Sequence, residues 1–549
     1  MRPVTNLRPE LFRHLRQRLE AFREGFRHNL AIIGPPGSGK TFQLQQLLAP
    51  HPLNPLIIYC PLYRESCRSF LQRLQFAILQ TVESDALSPA AAMPTCLPAG
   101  TAGRQATGHQ PLEELLQRLE PQLPRTVAAI RPIEELVTRR LFGEAFNRTL
   151  DVIPVLTQER GRPCAVILDE FLFLEELGLT HAFHELGKRV MIWPSTWFIL
   201  SSSSPYRARL ILRERLQLLF GQFELLTLNA LDLDASTTWL QQELRGIRGA
   251  NTVTPFLIQW LGAYPWYLAV FLKRLRELAA LGQRPDFSEA LFLHTAWDVL
   301  GSPEGPLHQW CASKTEGLAQ GHLGTRAMEV LLHVAQGART ATDIGKRTGR
   351  AGLSDALQRL VEHDVALRNG MCWMVTDPVL RCWLSTVLSL QRLEPRLNDT
   401  DVRARFEQYL RALWARWMSS SQLSLAEQMV ELFAKFDDET VSLDSKTGRL
   451  PKFQTIRTHQ PDGPGPSAYL IAHGEGKQWC ATVHEGPVSE PLVASFDAFC
   501  RTQTPKPSRK VVITRSTMDQ NARLLAKATS MWVWGTDDLQ VLRGLYGTR

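Results

Sequence analysis

Residues 30–44 read Leu30-Ala31-Ile32-Ile33-Gly34-Pro35-Pro36-Gly37-Ser38-Gly39-Lys40-Thr41-Phe42-Gln43-Leu44. A short apolar run of buried-strand length ends in a glycine-rich turn, and a helical pattern opens directly after it. Residues 34–41 fit G-x-x-x-x-G-K-[ST] in full. Glycines let successive backbone N–H groups turn inward around phosphate, and the dipole of the following helix adds positive potential. In such a loop Lys40 reaches the β- and γ-phosphates and the Thr41 hydroxyl reaches Mg²⁺. The whole segment Gly34 to Thr41 is therefore a candidate site for ATP with Mg²⁺.

A phosphate loop needs a carboxylate at the end of a neighbouring buried strand, and Ala165-Val166-Ile167-Leu168-Asp169-Glu170 supplies one. Asp169 is expected to hold Mg²⁺ together with Thr41. Glu170 is expected to polarise the attacking water as a general base. Leu200-Ser201-Ser202 ends the next apolar run, which places Ser201 as a sensor of the terminal phosphate. Arg207, Arg209, Arg213 and Arg215 lie on the helix that follows. Arg215 is the candidate arginine finger, a cation that stabilises transition-state charge from a neighbouring subunit.

Other apolar runs (Leu56–Cys60, Cys164–Leu168, Trp197–Leu200, Phe223–Leu228) alternate with helical patterns. That alternation predicts a parallel α/β sheet with crossover helices. Residues 112–157 predict helices broken near Pro121, Pro124 and Pro132. The segment 86–110 has no Ile, Val or aromatic residue and is expected to be a flexible insertion.

The chain has 549 residues, enough for three or four domains at roughly 150 residues each. Hydrophobic residues make up 44% and charged residues 21%, which excludes wholesale disorder and a fibrous protein. The net charge of +8 permits a nucleic-acid partner without requiring one. Nine scattered cysteines with no C-x-x-C argue against a disulfide framework or a zinc site and for a reducing, cytoplasmic location. The N-terminal residues show no apolar secretory region. Pro265 interrupts the most apolar stretch, Phe256 to Leu272, leaving it too short to span a membrane.

The expected domains are an ATPase core (1–232), a helical lid (233–318), a winged helix (319–392) and a C-terminal α/β domain (400–549). Helices at 324–336, 340–348 and 352–363 precede a hairpin turning at Asn369-Gly370, a strong hairpin signal. Arg339, Lys346, Arg347 and Arg350 flank the second helix of this group. Ser354, Asp355, Gln358 and Arg359 lie on the third, where polar groups suit phosphate contact and major-groove reading. Double-stranded DNA is the expected partner, with a protein partner as the alternative. The tryptophans Trp373, Trp383, Trp414 and Trp417 read as core.

Together these motifs resemble the archaeal-type ATPases of the STAND branch of P-loop NTPases, related to the AAA+ origin-recognition initiators. The resemblance spans residues 1–390. It rests on GPPGSGKT (34–41), AVILDE (165–170), ILSSS (199–203) and Gly262-Ala263-Tyr264-Pro265-Trp266-Tyr267-Leu268, which is similar to a "G-G-x-P-x-x-L" lid element with Ala263 in place of its second Gly. Arg8-Pro9-Glu10-Leu11 is similar to an "R-x-x-E-L" box, and Asp377-Pro378 with Arg381 and Trp383 to a "D-P-x-x-R-x-W" ending. The resemblance implies an ATP-driven switch, with Pro265 of the lid at the nucleotide. It leaves open DNA coupling, self-assembly as a signalling or defence scaffold, and a replication or transposition loader.

Many such proteins end in a restriction-endonuclease-like domain, and the α-β-β-β-α-β order of 402–534 is similar. The active form needs an acid near one strand and E-x-K on the next. Residues 478–485 (QWCATVHE) have no E-x-K, Asp462 lies before the neighbouring strand, Glu407 sits on the first helix, and Lys477 and Lys510 are poorly placed. The domain is expected to be an inactive scaffold.

Overall fold

The computed structural model describes residues 7–47, 55–86, 112–215, 223–282, 286–393, 399–443, 446–460 and 467–547. The segment 86–110 and Asp462 therefore lie, apart from residue 86, outside the described residues. Two compact units divide at Met1–Ser288 and Glu289–Arg549. This boundary falls inside the stretch expected to be one lid. Helix Glu289–Ala296 packs in the second unit, where Phe292 lies 5.5 Å from Trp414 between ring centroids.

In the first unit β1 (Asn29–Ile33), β2 (Leu56–Pro61), β3 (Cys164–Asp169), β4 (Thr196–Ser202) and β5 (Phe223–Thr227) form one sheet in the order β2-β3-β4-β1-β5. Every neighbouring pair is parallel. β1, β3 and β4 are buried along their whole length. A parallel sheet covered on both faces needs such continuous apolar runs, which is why these strands were legible. Alternate residues feed opposite layers. Leu30, Ile32, Ala165, Ile167 and Ile199 pack under helices Pro9–Arg23 and Lys40–Leu47. Ile33, Val166, Leu168, Phe198 and Leu200 pack under the helices of the other face.

The chain breaks at 121–122 as expected. The break at Pro132 does not occur, because helix Pro124–Thr138 runs through it. Its buried stripe of Val127, Ile130, Ile133 and Val137 is worth roughly 1.5–3 kcal/mol per large apolar side chain. That outweighs the ~3 kcal/mol cost of an interior proline. Helices Leu233–Glu243, Ala250–Leu261 and Pro265–Leu281 complete the unit.

The second unit carries helices Gly324–Ala335, Ala341–Thr348 and Leu353–Glu362, then a hairpin of β6 (Leu367–Asn369) and β7 (Cys372–Met374). A further hairpin, β8 (Glu439–Leu443) and β9 (Lys446–Leu450), was not anticipated. Its residues are largely polar, and only Val441, Leu443 and Leu450 reach the core. The last sheet contains β10 (Phe453–His459), β11 (Ser467–Gly474), β12 (Lys477–His484), β13 (Arg509–Thr514) and β14 (Trp532–Trp534), in sequence order. β10 to β12 are antiparallel, and β12 to β14 are parallel. Trp479, Ala481 and Val483 face one core, and Cys480 faces the other.

Among the described residues no helix is long and apolar enough to cross a membrane. The eight described cysteines are buried.

Candidate functional site

The ends of β1, β3 and β4 converge on the loop 34–41, at the carboxyl edge where open α/β sheets bind ligands. Gly34 follows β1 and passes so close to β5 that a Cβ on it would stand 2.3 Å from the Leu228 carbonyl oxygen. Gly39 has φ +95°, a left-handed conformation that favours glycine. Helix Lys40–Leu47 begins directly after it.

Lys40 is 4% exposed. Its Nζ donates to the carbonyls of Gly34 (2.8 Å) and Pro35 (3.1 Å). The buried Ser38 Oγ has no hydrogen-bond partner. A cation resting on replaceable carbonyls, beside an orphaned buried hydroxyl, fits a loop whose polar groups take a phosphate.

Asp169 ends β3 and is 3% exposed. Its Oδ2 accepts from Thr41 Oγ1 (2.8 Å) and Tyr59 OH (2.9 Å). Its Oδ1 accepts from Ser201 Oγ. The structure thus joins Thr41, Asp169 and Ser201, three residues that lie far apart in sequence. This oxygen-only donor set suits Mg²⁺.

Glu170 sits at φ +60°, ψ +46°, a left-handed conformation for a non-glycine residue. Such outliers cost on the order of 1–3 kcal/mol and cluster at functional sites. Its Oε2 accepts from the Ser203 backbone N–H (2.9 Å), and its Oε1 from Ser203 Oγ. Burial pushes the Glu170 carboxyl above its ordinary range, more than Lys40 and Ser203 pull it down.

Arg215 caps the end of helix Pro205–Glu214 and pairs with Glu175 at 2.7 Å. Arg207 pairs with the same carboxylate. Arg215 is thus tied to Glu175, not to the cluster around Asp169. Pro265 opens the helix Pro265–Leu281, in the stretch expected to be a lid. The next residue, Trp266, reaches the phosphate loop with its N–H on the Gly37 carbonyl at 3.3 Å. Arg8 donates to the Ser38 carbonyl (3.3 Å) and to Asn229 O.

Four contributors were missed as such in the sequence: Ser203, Tyr59, Trp266 and the placement of Arg8. Ser203 lies within the quoted ILSSS, two residues beyond Ser201 and one past the end of β4. That spacing was the available signal. Nothing local marks Tyr59 or Trp266.

In the second unit two of the expected DNA-facing cations, Arg339 and Arg359, are engaged within the protein. Arg339 is not an outward phosphate contact. It is 3% exposed and bonds Glu439 Oε1 (3.1 Å) and the Leu545 carbonyl (3.2 Å). Its guanidinium lies 4.3 Å from the Tyr546 ring centroid. Arg359 donates to the Leu318 carbonyl (3.2 Å) and the Gln320 carbonyl (2.6 Å).

The turn of the β6–β7 hairpin is also occupied. Asn369 exchanges two hydrogen bonds with the Ser442 backbone, at 2.7 and 3.0 Å, and Met371 N–H donates to Thr440 O at 2.8 Å. Lys346, Arg347 and Arg350 remain exposed, with Arg347 paired to Asp343. Ser354, Asp355, Gln358 and Glu362 form the exposed side of helix Leu353–Glu362.

The motif Asp377-Pro378 to Trp383 acts as a joint. Asp377 caps a helix through the Val379 and Leu380 N–H groups. Arg381 bonds the Gly544 carbonyl (3.2 Å), and Trp383 donates to His308 Nδ1 (3.1 Å).

Residues 7–179 match the AAA ATPase domain family. No curated protein matches the chain. Among solved structures, a Walker-type ATPase of Pyrococcus abyssi is similar at 16% identity, over 69% of this chain and 95% of that one, with a TM-score of 0.44. The ADP form of the Aeropyrum pernix ORC2 protein is similar at 15% identity, over 72% and 97%, with a TM-score of 0.39. The Aeropyrum pernix ORC1 protein in complex with DNA is similar at 14% identity, over 71% and 95%, with a TM-score of 0.36. With an AAA ATPase domain at residues 7–179 on a P-loop NTPase sheet, the chain is an ATPase.

Proposed function

We propose that the chain is an ATP-driven switch in which Lys40, Thr41, Asp169, Glu170 and Ser201 bind and hydrolyse ATP with Mg²⁺. The observation that carries this is the convergence of Thr41, Ser201 and Tyr59 on Asp169, beside Lys40 and Glu170. The loop amides and Lys40 bind the β- and γ-phosphates, with Lys40 leaving the Gly34 and Pro35 carbonyls to do so. Thr41 and Asp169 would hold Mg²⁺, which when bound neutralises charge on the phosphate oxygens. Glu170 accepts the proton of the attacking water, and Ser201 reports the state of the terminal phosphate through Asp169. Ser203 holds Glu170 until that geometry forms.

We assign double-stranded DNA as the output. The second unit has the three helices and hairpin of a winged helix, and Lys346, Arg347 and Arg350 supply its exposed cations. With the hairpin turn bonded to Thr440 and Ser442, contact falls to the helical corner. One observation favours the second reading, a protein partner or self-assembly: the exposed side of helix Leu353–Glu362 carries Asp355 and Glu362, which repel a phosphate backbone. In the C-terminal domain, helix Leu425–Phe433, β10 to β12, helix Glu490–Thr502 and β13 support a restriction-endonuclease-like scaffold. Lys510 is engaged by Asp497 at 2.5 Å, in keeping with a scaffold that does not cleave.

ATP turnover with and without duplex DNA, with Glu170→Gln as control, tests this. Turnover that DNA stimulates and Glu170→Gln loses is the expected result. Turnover indifferent to DNA discards the DNA output and leaves the protein-partner reading.

A further inference from the structure

The outward carbonyls of the phosphate loop are shared between two kinds of donor. Gly34 O and Pro35 O are taken by Lys40, which must leave when phosphate binds. Gly37 O and Ser38 O are taken from outside the loop, by the Trp266 N–H and by Arg8 Nε. Those two bonds do not compete with phosphate, because they use the loop's carbonyls and phosphate takes its N–H groups.

Trp266 adds side-chain contact. A Cβ on Gly37 would stand 3.1 Å from Trp266 Cβ and 3.5 Å from its indole Cε3. The indole in turn lies 5.5 Å from the ring centroid of Tyr267, which is wholly buried in the lid. The path from the lid core to the tip of the loop therefore runs Tyr267, Trp266, Gly37. Arg8 ties the other side, reaching from Ser38 O to Asn229 O, with Asp232 and Tyr264 close enough to act on its charge.

We propose that Trp266, with Arg8, is a positioning residue for ATP: the pair clamps the outer side of the phosphate loop, holds it in its phosphate-binding shape and ties the lid to it. This rests on the ATP-site assignment above. A preformed loop loses less freedom when the nucleotide binds, so the clamp acts on binding more than on the chemical step.

The test uses the full chain. Trp266→Ala is expected to raise KM for ATP about tenfold while kcat falls less than threefold, and Arg8→Ala should act in the same direction. Trp266→Phe keeps an aromatic face against Gly37 and should restore KM to near that of the parent. It should also remove most of the change in tryptophan emission that ATP produces, since this indole touches the loop. A purely structural role would instead lower kcat and thermal stability together, with no split and no loss of that signal.

An unaltered KM in Trp266→Ala, or an emission change that survives in Trp266→Phe, overturns the clamp. Should Trp266→Ala fail to fold, the emission comparison on folded Trp266→Phe decides. Lys40→Ala separates the two levels of argument: if it still binds ATP normally, the site assignment itself is wrong, whatever Trp266 does.

Discussion

Two buried polar clusters, one in each unit, use the same chemistry for opposite ends. At the phosphate loop, Lys40 rests on backbone carbonyls, Ser38 Oγ has no partner, and Glu170 is held in a left-handed backbone. At the junction of the β6–β7 hairpin with the C-terminal domain, Arg339 grips Glu439, the Leu545 carbonyl and the face of Tyr546. The first cluster is built from contacts that a ligand can replace. The second ties side chains and backbone far apart in sequence to one another, and Gly370 lies so near Thr440 that a Cβ there would stand 2.3 Å from its carbonyl oxygen. Burial and charge alone do not distinguish a site from a joint. What separates them is whether the partners can be exchanged.

The largest effect expected is on chemistry. Glu170→Gln removes the proton acceptor and should lower kcat by roughly 10²–10⁴-fold while ATP stays bound. Because burial raises the Glu170 carboxyl, and the ionised form is the base, activity should fall as pH drops through a value above the ordinary ~4.3 of glutamate. A pH profile of kcat locates that limb. Normal turnover in the variant takes Glu170 out of the mechanism and breaks the contrast between the clusters.

Next is the joint. Arg339→Ala leaves Glu439, 8% exposed, as a buried unpaired charge, and should destabilise the second unit by about 3–5 kcal/mol. ATP affinity should not change. The double variant Arg339→Met, Glu439→Leu removes both charges and should recover most of the loss. Thermal unfolding checks both. If Arg339→Ala instead weakens DNA binding with unchanged stability, Arg339 belongs to an interface after all.

Lys40→Ala removes charge-assisted bonds of about 1.5–3 kcal/mol each. A calorimetric ATP titration should show affinity weakened at least ~100-fold. Unlike Arg339→Ala, the variant should keep most of its stability in the absence of nucleotide, since the hydrogen bonds of the lysine to Gly34 and Pro35 are to exchangeable carbonyls. A large loss of stability would make Lys40 part of the framework and blur the distinction.

The comparison also explains what could be read in advance. GPPGSGKT specifies backbone shape as well as side chains, so Lys40 and Thr41 were legible from spacing alone. β1, β3 and β4 were legible because a doubly covered strand must be continuously apolar. Arg339 was misread because a cation beside a helix looks the same in sequence whether it faces solvent or Glu439, a hundred residues on. Tyr59 reaches Asp169 only through strand register, and Ser203 reaches Glu170 from the bend just past β4. The β8–β9 hairpin owes its existence to docking more than to its own residues, and Asp377 to Trp383 could be matched as a pattern but not understood as a joint until Gly544 and His308 were in place.

The smallest effect tests how tightly the lid is specified. Ala263 stands where the similar lid elements have glycine, and its φ is +56°. Its carbonyl accepts from Leu231 N–H at 3.0 Å, which holds the turn in that shape. A left-handed alanine costs on the order of 1 kcal/mol relative to glycine, although glycine loses more freedom on folding. Ala263→Gly should therefore stabilise the first unit by about 0.5–1 kcal/mol, seen as a higher denaturant midpoint with unchanged slope. Ala263 is buried, with 7% exposure, so the packing of its methyl opposes the gain. A net loss of stability in Ala263→Gly would mean that the methyl contact outweighs the strain, and that the turn before Pro265 and Trp266 is held by packing rather than by backbone preference. In that case the lid's grip on the phosphate loop would depend on side chains along its whole length, and Trp266 would be the last link of a packed chain rather than the end of a preformed turn.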